Sequence, residues 1–174
     1  MRLISSRAYA ASLAFIVLVG AAAPGLGQPG SDPADALFHQ LFVEQKLDES
    51  RLSEAFTMWT GRANRGEAKS QFYLSYLYFG GLGPAEMNVA KALELVHASA
   101  EQGYAEAQYK LGNAYEFGQG HELDYASAVR WYERAARQGY WLATERLAAA
   151  YANAELGLAR DQSKAEFWRA MRTK

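Results

Sequence analysis

The chain has 174 residues, half of them apolar, with a formal net charge of −1 and no cysteine. That length and apolar content suit one packed domain rather than a disordered tail, and the weak charge supplies no basic field for nucleic acid or anionic lipid. The lack of thiols excludes a disulfide framework, cysteine metal sites and thiol catalysis, so stability has to come from packing.

At the N-terminus, Arg2 and Arg7 precede an uncharged run from Ala8 to Ala23, then Pro24, Gly25 and Gly27, with no acid before Asp32. Basic, apolar and small residues in that order read as a secretory signal peptide over 1–27, followed by a flexible leader over 28–32. A retained membrane anchor is the competing reading. A span needs about 20 mostly apolar residues, whereas this run holds Ser12 and ends in Ala, Gly and Pro. Cleavage after Ala23 would place Pro24 first; cleavage after Gly27 leaves Gln28 and is preferred. Loss of the two arginines brings the net charge to about −3.

Asp32 is placed to cap a helix with Pro33 at its first position and Asp35 in its first turn, and Leu37, Leu41 and Phe42 carry that helix from 33 to about 47. Asp48 and Ser50 offer capping oxygens for a second helix bearing Leu52, Ala55, Phe56 and Trp59, which Gly66 stops. A helix over about 67–79 and another over about 89–101 follow, separated by Gly80-Gly81-Leu82-Gly83-Pro84, with Asn88 as cap and Gly103 as stop. Ala107, Leu111 and Tyr115 define the next helix. Gly118 and Gly120 mark its loop, and Asp124 caps a partner helix with Ala128, Trp131, Tyr132 and Ala135 before Gly139. A last pair carries Leu147, Tyr151, Ala165 and Trp168. Its loop, 153–160, lacks the paired glycines and is expected to be less regular.

These elements repeat. Ala55, Ala92, Ala128 and Ala165 lie 37, 36 and 37 residues apart, and Leu74, Leu111 and Leu147 follow the same spacing. A period in this range marks stacked helical hairpins. Ala107-Gln108-Tyr109-Lys110-Leu111-Gly112-Asn113-Ala114-Tyr115, with Gly118, Gly120, Asp124, Ala128, Trp131-Tyr132, Ala135-Ala136 and Gly139-Tyr140, resembles the Sel1-like repeat of the tetratricopeptide-like superfamily. Residues 67–103 resemble it with Leu95-Val96 where Trp-Tyr is expected, and 140–174 with Ala148 where Gly is expected. The first segment, 36–66, resembles only the second helix of the repeat. The resemblance implies an all-α, right-handed α-solenoid of about four antiparallel hairpins, at about 33–66, 67–103, 104–139 and 140–174.

No chemistry emerges from motif spacing. His39, His97 and His121 fall in different hairpins, and His121-Glu122 has no second histidine to make a zinc site. The glycines at 80–83 lack the Lys-Ser/Thr of a phosphate loop, and neither G-x-S-x-G nor S-x-x-K occurs. No catalytic residue, cofactor or metal is therefore expected. The first helix of each hairpin carries aromatic and charged residues that do not recur: Lys69, Phe72, Tyr76 and Phe79 in one, Glu106, Tyr109, Asn113 and Glu116 in the next, and Glu145 in the last. Aromatic groups rimmed by charge are the composition of a contact surface, and in a superhelix of hairpins these positions line the concave face. Helical spacing alone leaves open whether Phe72 and Phe79 pack between hairpins instead.

The resemblance implies an exported, non-enzymatic adaptor or regulator in a bacterial periplasm that binds a protein or peptide. It carries no implication of nucleic acid binding, involves a membrane only if the signal segment is retained, and favours a monomer. The alternative is an envelope enzyme acting on peptidoglycan fragments or β-lactams, suggested by cysteine-rich relatives of this repeat. The outward face of the last helix, with Lys164, Arg169 and Arg172, is expected to be polar enough to cap the array; the alternative is that this end docks onto a partner or a second copy.

Overall fold

The computed structural model describes residues 31–171, and those residues form eight α-helices. The signal segment and Arg172 lie outside the described residues. The helices are α1 (Pro33–Phe38), α2 (Glu49–Ala63), α3 (Ala68–Gly80), α4 (Val89–Glu101), α5 (Ala105–Phe117), α6 (Tyr125–Arg137), α7 (Trp141–Asn153) and α8 (Gln162–Met171). This is the all-α hairpin architecture that the repeats predict. The chain divides into two compact units, one ending at Leu95 and the other beginning at Val96, with the division inside α4.

The helix starts form where capping chemistry requires them. Asp32 accepts from the Ala34 N–H at 2.9 Å, Asp48 from Arg51 at 3.0 Å, Asn88 from Lys91 at 2.9 Å and Asp124 from Ser127 at 3.0 Å. Each bond satisfies one of the backbone donors that a helix start leaves open. The first helix is shorter than the expected 33–47. After Phe38 the chain widens into a π-helical turn, His39–Val43, closed by Glu44 N–H to His39 O at 2.9 Å, and Gln45 then takes a left-handed φ of 56°. The wider turn buries Leu37, Phe38, Leu41 and Phe42 together, a set broader than one α-helical stripe.

In the first unit α2 packs against α1 and α3. Its core is an aromatic cluster. Phe38 stacks on Tyr73 with ring centroids 4.1 Å apart, and Trp59 lies 5.4 Å from Tyr73 and 6.1 Å from Phe38. In the second unit α5 pairs with α6, α7 pairs with α8, and α6 also packs on α7. Leu111, Leu147, Tyr132 and Ala165 are fully buried there. Gly112 lets α5 and α6 approach closely, since a Cβ at that position would sit 2.6 Å from the Tyr132 ring.

The loop of the last hairpin corrects the expectation of irregularity. Asn88 N–H bonds Tyr78 O, Asp124 N–H bonds Tyr115 O and Asp161 N–H bonds Tyr151 O, all within 2.9–3.0 Å. The helix ends also match: the left-handed C-cap is Gly81 after α3, Gly118 after α5 and Ala154, with φ of 59°, after α7. The missing glycine is a change of residue within a conserved backbone path. A left-handed alanine carries a Cβ clash that glycine avoids, partly offset by the greater freedom of glycine in the unfolded chain. Ala154→Gly is therefore expected to stabilise the protein by up to about 1 kcal/mol, read as a higher denaturant midpoint with an unchanged slope.

Candidate functional site

The predicted surface residues of the first unit have separate fates. Phe72 is 4% exposed and Tyr76 is 7% exposed, and the two rings meet edge to face at 5.2 Å, with Tyr76 also 5.3 Å from Phe38 and from Phe42. Buried in the aromatic core, they present no area to a partner, which corrects their assignment as contact residues. Phe79 stays half-buried near the end of α3. Lys69 reaches Asp35 at 3.0 Å, and the Tyr73 hydroxyl donates to the same carboxylate at 3.0 Å, so Lys69 ties α3 to α1. Asp32 is likewise held by Arg62 at 2.7 and 2.8 Å.

The second unit gathers its predicted residues on adjacent first helices, α5 and α7. Glu106, Tyr109, Asn113 and Glu116 follow one another at helical spacing along α5, and Glu145 lies on α7 next to Arg146. Arg146 Nε and Nη2 donate to the Glu116 carboxylate at 3.0 and 2.7 Å, and Nη1 donates to Glu155 Oε2 at 2.5 Å. The Tyr132 hydroxyl of α6 donates to Glu116 Oε2 at 2.5 Å and lies 2.6 Å from Asn113 Oδ1. The Tyr109 ring packs between Tyr132, at 5.5 Å, and Tyr140, at 5.3 Å.

Electrostatics locks this cluster. Hydrogen bonding to Glu116 keeps Arg146 charged, raising it above the ordinary arginine value, and Arg146 holds Glu155 below the usual carboxylate range. Burial, with Glu116 adding to it, pushes Tyr132 far above the ordinary tyrosine value, and burial also raises Tyr109 and Tyr140. Glu116, only 7% exposed, is thus a structural anchor, which corrects its assignment to the contact surface. Glu106, Tyr109, Asn113 and Glu145 remain half-buried at the edge of the cluster. Sequence reading missed Arg146 and Glu155, and read Tyr132 and Tyr140 only as residues of the repeat. Arg146 had a visible signal, because it stands where the preceding repeat has Lys110 and so differs between repeats.

Burial also pushes Lys110 down to about 8. Between that value and its ordinary 10.5 the unfolded chain binds the extra proton, so stability rises with pH over this interval. The three tyrosines act oppositely: they stay protonated in the folded protein, so their contribution is complete below pH 10 and is lost above it. The thermal midpoint should climb above pH 8 and fall above pH 10, and Lys110→Met should flatten the climb.

Among the described residues no group of three His, Asp or Glu could hold a metal ion, and no helix is long and apolar enough to cross a membrane. The site is a polar and aromatic face held by the Arg146–Glu116 and Tyr132–Glu116 bonds.

Comparison with known proteins identifies the helical repeats. A family model described as Sel1 repeat matches residues 68–104, 105–140 and 141–168. Mouse protein sel-1 homolog 2 is 32% identical over 105 residues, covering 59% of this chain and 15% of that protein. Chitin synthase regulatory factor 3 of Schizosaccharomyces pombe is 38% identical over 90 residues, covering 51% of this chain and 10% of that protein. The chain thus spans a small part of these curated relatives. The crystal structure of a Sel1 repeat protein from Oxalobacter formigenes superimposes with a TM-score of 0.62 at 32% identity, covering 67% of this chain and 86% of that one.

Proposed function

The chain belongs to the Sel1-repeat family, whose members mediate protein–protein contacts, and we propose that it is an exported, non-enzymatic adaptor or regulator. It binds a peptide or protein on the first-helix face of its second unit. The observation that carries this reading is the fixed set of groups there. Arg146, Glu116 and Tyr132 lock α5, α6 and α7 together by charge-assisted bonds, and Glu106, Tyr109, Asn113 and Glu145 ride at the rim of that rigid base. A preorganised face loses little entropy on binding, and tyrosine contributes contact area with few rotatable bonds. Regulation is the role carried in the name of one relative, chitin synthase regulatory factor 3. The bacterial periplasm is the proposed location, supported by the order of basic, apolar and small residues over 1–27.

Reversing charge at the rim tests the binding reading while leaving the locked base in place. Glu106→Lys with Glu145→Lys should reduce partner capture at least tenfold, about 1.4 kcal/mol, with helical circular dichroism unchanged; capture equal to wild type would contradict the proposed face. Mass spectrometry of the processed protein should find Gln28 at its N-terminus, and Met1 there would contradict export with cleavage.

A further inference from the structure

Carboxylates outnumber cations on the first-helix face of the second unit. Helices α5 and α7 carry Glu106, Glu116 and Glu145, and Glu155 follows α7 by two residues; the cations of the two helices are Lys110 and Arg146. Lys110 is half-buried, and burial works against its charge.

Arg146 is already committed. Its Nε bonds Glu116 at 3.0 and 3.2 Å, its Nη2 bonds Glu116 at 2.7 Å and its Nη1 bonds Glu155 at 2.5 Å. Turning the guanidinium toward a carboxylate or phosphate of a partner would strand Glu116, which is 7% exposed. The face therefore has no arginine to offer an anion.

Aromatic rings stand beside these carboxylates. Tyr109 on α5 and Tyr140 at the start of α7 are both half-buried, with ring centroids 5.3 Å apart and planes inclined by 53°. Glu106 stands one helical turn before Tyr109, and its charge acts on Tyr140. Ring faces next to a carboxylate attract a guanidinium or an ammonium group. The same unit already pairs cations with rings in this way: Arg134 lies over Trp131 at 4.4 Å and Lys164 over Tyr151 at 5.0 Å.

We propose that the segment held on this face is basic, with an arginine or lysine side chain laid against Tyr109 and Tyr140 and answered by Glu106 and Glu145. This choice of occupant rests on the reading that the face docks a peptide or protein. An acidic segment or a nucleic acid would meet like charge there. An apolar helix would strip water from the glutamates and give them nothing in return.

Fluorescence anisotropy on the naturally processed protein tests this with short labelled peptides that alternate glycine with arginine, glutamate or serine. The arginine peptide should bind and the other two should not, and added salt should weaken the binding. Glu106→Gln with Glu145→Gln keeps the size of both side chains and should lower the affinity about tenfold, with helical circular dichroism unchanged. If that pair disturbs the fold, either substitution alone should lower the affinity in the same direction. Glu122→Gln with Glu133→Gln removes equal charge elsewhere in the unit and should leave the affinity as it was. No binding of the arginine peptide, equal binding of the arginine and glutamate peptides, or equal weakening by the two double variants would overturn the basic occupant. The docking face itself is judged separately, by capture of the native partner on the Glu106→Lys, Glu145→Lys protein.

Discussion

Arg146→Met should destabilise the second unit by about 3–5 kcal/mol, the range seen when one partner of a buried ion pair is removed. The loss would come chiefly from Glu116. Its carboxylate is 7% exposed and takes hydrogen bonds from Arg146 Nε, at 3.0 and 3.2 Å, and from Nη2, at 2.7 Å. Without the guanidinium, only the Tyr132 hydroxyl remains to answer a charge that water barely reaches. The damage should therefore be reversible by removing the charge itself: Glu116→Gln in the Arg146→Met background is expected to recover much of the stability. Denaturant melts of the four proteins in this cycle give the coupling directly, and additive effects would show that the pair is not a unit.

Trp59→Ala should cost the first unit about 3–5 kcal/mol through the cavity it opens. The indole is fully buried among Phe38, Phe42 and Tyr73, with ring centroids 5.4–6.4 Å away, so no loop or solvent is placed to fill the space. Its Nε1 is buried without a hydrogen-bond partner. An unanswered donor weakens the case for tryptophan over phenylalanine, so Trp59→Phe should cost far less than Trp59→Ala. Because hairpins in such arrays contact only their neighbours, amide exchange should accelerate first in α1 to α3, with α7 and α8 still protected. Uniform acceleration along the chain would contradict that locality.

Local chemistry was readable from the sequence, and long-range pairing was not. Asp48, Asn88 and Asp124 could be named as caps because a capping oxygen acts on amides two or three residues ahead. The repeat supplied the helices and the close approach at Gly112. The π-helical turn after Phe38 was hidden, since it follows from burying two adjacent pairs of large residues rather than from any breaker in the chain. Phe72 and Tyr76 were misplaced for a related reason. A periodic aromatic stripe suits a seam or a groove equally, and only the positions of Phe38 and Phe42 decide between them. The Arg146–Glu116 pair spans 30 residues, a separation set by hairpin stacking. The last loop misled because its backbone path is kept by the Asp161–Tyr151 bond rather than by glycine.

The central claim is that a partner docks on the first-helix face of the second unit. Site-specific photocrosslinking in the living cell tests it most directly, with the photoreactive residue placed in turn at Glu145 on that face and at Arg130 on the solvent side of α6. The account predicts a discrete protein adduct from position 145 and none from 130. The same adduct from both positions, or one from 130 alone, would contradict it.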